Sequence, residues 1–166
     1  MIKFYTKVGK RVLGVIPEFF YFPGGELHLK ADPDTFVGQE IAYIYGKANF
    51  EDYFMLNLRN QVVRSQGGTA HIFVPYLPAA RADRGIPLGL APYRDLLVGA
   101  ADGAEIHVLD AHSSLAVKHY EDRGASVTNH RITDFPDLVR KVFPKYDGII
   151  APDRGAEGRS TAFAKI

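Results

Sequence analysis

Three short runs in this chain gather the residue types that handle phosphate and divalent cations. Residues 75–84 read Pro-Tyr-Leu-Pro-Ala-Ala-Arg-Ala-Asp-Arg, which brings Arg81, Asp83 and Arg84 close together. Residues 110–114 read Asp-Ala-His-Ser-Ser, with His112 just beyond Asp110. Residues 152–159 read Pro-Asp-Arg-Gly-Ala-Glu-Gly-Arg and hold Asp153, Arg154, Gly155 and Ala156 in succession. Carboxylate oxygens suit magnesium, and planar guanidinium donors suit phosphate oxygens. Small residues at a helix start let backbone amides approach an anion. Residue types and placement together predict a magnesium–polyphosphate site, without naming its reaction.

Each run follows a short apolar stretch, at 72–74, 106–109 and 149–151. These stretches alternate with segments of helical character. Residues 41–45 form a compact apolar strand pattern. Phe50, Phe54, Leu58 and Val62 then repeat every fourth residue, the spacing of one helix face, until Gly67-Gly68 ends the pattern. Further helices are expected around Ala91–Ala101, from Ser113 to Asp122, and from Pro136 with Asp134 as N-cap. The apolar face of that last helix is Leu138, Val139, Val142 and Phe143. Residues 126–128 read as a short strand, and 148–151 as the final strand, followed by a helix starting within 155–166.

The N-terminal segment is β-rich instead, with strand patterns at 2–6, 12–16, 19–22 and 26–30. Pro23-Gly24-Gly25 makes the turn between the last two. Short, nearly all-apolar strands separated by helices predict an α/β fold, a mostly parallel sheet with helices on both faces and an N-terminal β-hairpin. In such a sheet the three polar runs leave the carboxyl ends of strands, where ligands bind.

Taken singly, each residue also has a structural reading. Asp110 or Ser113 caps the following helix, Asp153 does the same, and Arg81, Asp83 and Arg84 form a solvated ion-pair cluster. Gly155 and Gly158 serve as plain turn residues. His28, His71, His107, His119 and His130 show no metal-ligand spacing and read as surface or core. The argument for a site rests on three such termini occurring in one chain.

Composition sets the outer bounds. The chain has 166 residues, 46% of them hydrophobic, with a formal net charge of +1 and no cysteine. That describes one globular domain over 1–166. It gives no support to nucleic-acid or membrane partners, and it excludes disulfides, thiolate metal sites and thiol nucleophiles. No run approaches the roughly 18 apolar residues of a membrane span, and the opening Met-Ile-Lys-Phe-Tyr-Thr-Lys is no secretory leader. The expected setting is cytoplasmic.

Phe22-Pro23-Gly24-Gly25-Glu26, residues 75–84, Asp110-Ala111-His112-Ser113 and Pro152-Asp153-Arg154-Gly155 occur in the order and approximate spacing seen in ribose-phosphate pyrophosphokinases, the phosphoribosyl diphosphate synthetases. From about Phe19 to Arg159 the chain resembles the first of that family's two phosphoribosyltransferase-like α/β domains. The resemblance implies transfer of diphosphate from ATP to ribose 5-phosphate, with Mg2+ as cofactor and AMP released. It implies that Phe22 stacks on adenine and Glu26 contacts it, across a subunit boundary in a dimer or hexamer. Arg81, with Asp83 beside it, would meet the ATP phosphates. His112 and Asp153 would hold the magnesium–nucleotide, and Asp153, Arg154, Gly155 and Ala156 would form the diphosphate-binding loop.

The chain also departs from the family. Gly24 stands where Asp or Asn is usual, Ala82 where Gln is common, and Arg154 and Ala156 within a common Asp-Ala-Gly-Gly. The loop after Asp83 is shorter, and the usual first helix is missing. The family's second half, with its Asp-Asp-x-x-x-Thr-Gly-Gly-Thr ribose 5-phosphate loop, has no counterpart in these residues. No residue is therefore assigned a catalytic role, and this half alone is expected to be inactive. The alternative is a non-catalytic regulatory subunit associated with the synthetase.

Overall fold

The computed structural model describes residues 1–30, 38–44, 46 and 48–166. They form two compact units, Met1–Asn129 and His130–Ile166.

The first unit opens with a hairpin of β1 (Ile2–Val8) and β2 (Arg11–Val15), turning at Gly9 with φ 60°. β3 (Glu18–Tyr21) and β4 (Leu27–Lys30) make a separate two-stranded ribbon, whose turn is closed by the Phe22 amide donating to the Glu26 carbonyl at 2.9 Å. β5 (Gln39–Ile44) pairs antiparallel with β1, Phe4 opposite Ala42. Tyr45, the last residue of the expected strand at 41–45, lies outside the described residues.

From β5 onward the chain alternates. α1 (Phe50–Ser65) leads to β6 (Thr69–Val74), α2 (Ala91–Ala101) to β7 (Glu105–Leu109), and α3 (Ser114–Glu121) to β8 (Val127–His130). β5, β6 and β7 pair in parallel, and the full sheet runs β2-β1-β5-β6-β7-β8. The expected class is thus what the chain forms: a mostly parallel sheet flanked by helices, with an antiparallel hairpin at its start.

Burial alternates along the strands. Ala42, Ile44, Ala70, Ile72, Val74, Ile106 and Val108 are buried on one face. Ile41, Tyr43, His71, Phe73 and His107, on the other face, are only half-buried. This refines the expectation of a sheet covered on both faces. α1 packs on α2 and α2 on α3, so the helices that connect successive neighbouring strands lie side by side.

α1 begins with a capping box, the Asp52 amide donating to Asn49 Oδ1 at 2.7 Å and the Asn49 amide to Asp52 Oδ2 at 3.0 Å. It ends where Gly67 adopts φ 73°, as its sequence predicts. Its buried face differs from the expected stripe. Phe50 and Phe54 are exposed, whereas Tyr53, Leu56, Arg59, Asn60 and Val63 are buried. The reason is polar docking. Asn60 Nδ2 donates to the Ala100 and Ala101 carbonyls at 3.0 and 3.1 Å, and Asn57 Nδ2 to the Gly99 carbonyl at 3.0 Å. These are end-of-helix carbonyls of α2 that lack helical partners. Arg59 pairs with Glu40 of β5, its Nη2 lying 2.7 Å from Oε2 and its Nε 2.9 Å from each carboxylate oxygen.

The second unit begins with a 3-10 turn at Ile132–Asp134, followed by α4 (Pro136–Val142), a 3-10 turn at Arg154–Ala156 and α5 (Glu157–Phe163). Asp134 caps the first turn, accepting the Arg131 amide at 2.8 Å, so Phe135 rather than Asp134 is the N-cap of α4. Of the expected α4 face only Val139 is buried. Residues 148–151 carry no regular structure, and Ile150 is 91% exposed. The expected final strand is therefore absent: apolar composition alone does not make a strand where no ladder accepts it. Among the described residues no helix is long and apolar enough to cross a membrane.

Candidate functional site

Two of the three polar runs leave adjacent parallel strands at their carboxyl ends, residues 75–84 after β6 and residues 110–113 after β7. The first run is pinned by buried Leu77 and Ala80. The Ala82 amide donates to the Ala79 carbonyl at 2.8 Å, and Ala79 adopts φ 54°. Arg81 and Arg84 stand exposed on either side of buried Asp83. The loop closes where the Leu90 amide donates to the Ala82 carbonyl at 3.0 Å. A Cβ at Gly89 would lie 2.8 Å from the Ala82 Cβ, so this close approach requires glycine.

The second run turns sharply out of β7 because Asp110 adopts φ 45°, a left-handed conformation that Asp tolerates better than most residues. Only three non-glycine residues among those described have positive φ, and two of them, Ala79 and Asp110, lie in these two loops. Strained backbone of this kind concentrates where a site over-determines the chain. The Ala111 amide donates to Asn129 Oδ1 at 3.1 Å, anchoring the turn beside β8.

A clasp joins the two loops. The Ser113 hydroxyl donates to Asp83 Oδ2 and also accepts the Ala116 amide at 3.0 Å, so one side chain caps α3 and holds the other loop. His119 Nε2 lies 3.0 Å from the Asp83 carbonyl oxygen. The Ser113 hydroxyl holds the Asp83 carboxyl below the usual carboxylate range. Burial opposes this, while the nearby charges of Arg84 and His112 reinforce it. The expectation that Asp83 faces the nucleotide meets a buried carboxylate turned inward to Ser113. Arg81 and Arg84 of the first loop and His112 of the second stand exposed.

Phe22 and Glu26 lie at the exposed turn between β3 and β4. The Phe22 ring stacks on His28 with centroids 5.5 Å apart and meets Phe20 edge-on at 5.1 Å. A Cβ at Gly24 would lie 2.6 Å from a Glu26 carboxylate oxygen, so the bare glycine lets that carboxylate fold over the turn.

The third run belongs to the second unit. It starts from irregular chain, since residues 148–151 form no strand. Asp153 is exposed and caps the Arg154–Ala156 turn, its Oδ1 accepting the Ala156 amide at 2.9 Å. That amide is thereby satisfied within the loop. Arg154 and Gly155 are exposed, and Ala156 is buried.

One group escaped the sequence reading. His71 on β6 and Glu105 and His107 on β7 project from the half-buried sheet face, with their ligand atoms clustered within 4.8 Å of one another. The pairing of His71 with Glu105 across the ladder brings them together. The available signal was the alternation Glu105-Ile106-His107, which puts an acid and an imidazole on one strand face. The third member came from a strand far away in sequence.

No protein-family model and no curated protein matches the sequence. Among solved structures the chain is similar to phosphoribosylpyrophosphate synthetase from Mycobacterium smegmatis, with a TM-score of 0.60 and 20% identity. The likeness covers 90% of this chain and 52% of that one, so the chain spans about half the length of the synthetase. At this identity the shared property is the α/β fold.

Proposed function

We propose that this chain supplies the ATP–magnesium half of a ribose-phosphate diphosphokinase site, in which diphosphate passes from ATP to ribose 5-phosphate. The observation that carries the reading is the pair of loops at the carboxyl ends of β6 and β7, clasped by Ser113 and Asp83, with Arg81 and His112 exposed. The fold likeness to a synthetase supports it.

In this reading Arg81 offers planar donors to the ATP phosphates, and Asp83 positions the loop rather than touching nucleotide. Phe22 supplies a stacking face for adenine and Glu26 a polar contact, presented across a subunit boundary. In this reading Asp153 would offer magnesium the carboxylate oxygen that does not cap Ala156, and the exposed His112 would contact the magnesium–nucleotide. Bound magnesium would neutralise phosphate charge. Arg154 and Gly155 flank the diphosphate, and its binding competes with the Asp153 cap for the Ala156 amide.

Titration calorimetry with Mg-ATP tests this. The wild-type chain is expected to bind saturably. Arg81→Ala and the double change His112→Ala plus Asp153→Ala should each weaken binding by about 10- to 100-fold, the value of a charge-assisted contact. Equal affinity in wild type and both variants would overturn the reading.

A further inference from the structure

We infer that His71, Glu105 and His107 form a three-ligand site for a divalent transition metal of the zinc type, on the half-buried face of the sheet. His71 Nδ1 lies 3.0 Å from His107 Nε2, and Glu105 Oε2 lies 3.5 Å from the first nitrogen and 3.7 Å from the second. Zinc bonds of about 2.0–2.1 Å at tetrahedral angles require neighbouring ligand atoms about 3.3–3.4 Å apart. The three observed separations straddle that value. A hydrogen-bonded imidazole pair accounts for the shortest contact alone. The carboxylate oxygen facing both nitrogens is what points to a cation.

The arrangement is also held from behind. Thr128 Oγ1 donates to Glu105 Oε1 at 2.7 Å, engaging that oxygen and leaving Oε2 toward the imidazoles. Such outer partners orient metal-binding carboxylates and raise affinity. The ladder fixes the rest, because His71 pairs with Glu105 and Phe73 with His107. Three groups from two rigid strands thus converge without any loop.

Two imidazoles and one carboxylate suit zinc and its neighbours better than magnesium, which takes oxygen ligands. Side-chain exposures of 27%, 20% and 35% for His71, His107 and Glu105 leave a route for the ion and a fourth position for water or another donor. The group lies toward the amino-terminal ends of β6 and β7, so it is separate from the loops at their carboxyl ends and stands independently of the nucleotide reading.

Calorimetric titration of tag-free protein with Zn2+ tests the site, with Co2+ as a spectroscopic probe. The expected result is one saturable Zn2+ site per chain, undisturbed by excess Mg2+, and visible cobalt bands of four-coordinate intensity. The double variant His71→Ala plus His107→Ala should lose the site. Glu105→Gln and Thr128→Val should each weaken it by about 10- to 100-fold, while His28→Ala changes nothing. Circular dichroism checks the fold of each variant, and Glu105→Gln decides the matter if the double variant unfolds. Absence of stoichiometric Zn2+ binding, or unchanged affinity in the folded variants of the three residues, would overturn the inference.

Discussion

Glu40 is 1% exposed and Arg59 8%, and the guanidinium grips the carboxylate through both Nε and Nη2. Burial pushes the Glu40 carboxyl up, and Arg59 pulls it back through hydrogen bonding and charge. Arg59→Met is expected to cost about 3–5 kcal/mol at neutral pH in urea denaturation, because it strands a buried carboxylate. Without the guanidinium the folded-state pKa of Glu40 rises further above its unfolded value of 4.5. The folded form of the variant then holds the proton more tightly than the unfolded form. The cost is therefore smallest below the unfolded value and reaches its full size as pH rises through the folded one. A gap between variant and wild type that stays constant on acidification would contradict this account.

At the scale of elements, Gly89 is the tightest point of the segment between β6 and α2, with the Ala82 Cβ in the path of any side chain. Gly89→Ala should cost about 1–3 kcal/mol and lower the thermal midpoint, since neither neighbour is a flexible side chain that can swing aside. A midpoint equal to wild type would show that the segment yields. Elements announced by local chemistry were legible in the sequence. α2 spans the expected Ala91–Ala101, and Ser113 caps α3 as its type and position predict. The buried face of α1 was not legible. Phe50 and Phe54 outrank Asn60 and Arg59 in hydropathy, yet Asn60 and Arg59 answer partners on α2 and β5 that local pattern does not reveal. Residues 148–151 failed for the converse reason, being apolar enough for a strand but lacking a ladder. The candidate site divides in the same way: types at strand ends drew attention to Arg81 and His112, whereas the inward turn of Asp83 depends on Ser113 thirty residues on. The convergence of His71 with Glu105 and His107 depends on register, which single-strand patterns do not carry.

For the whole molecule, the sheet order β2-β1-β5-β6-β7-β8 leaves β2 and β8 at the edges and β1, β5, β6 and β7 inside. Ile72 and Ile106 are fully buried on interior strands, while Val12 and Leu13 on β2 are about half exposed. Native-state hydrogen exchange should be slowest at the β6 and β7 amides and fast along β2. Uniform protection across all six strands would contradict that ranking. The same order bears on synthesis. After β5 every strand is laid against the one made just before it, so a nascent chain emerging from the ribosome can add one crossover at a time to a finished edge. The exception is the opening hairpin. Its place beside β5 waits for residues 39–44, made after the β3–β4 ribbon, so the hairpin pairs across that ribbon yet before any crossover helix has been translated.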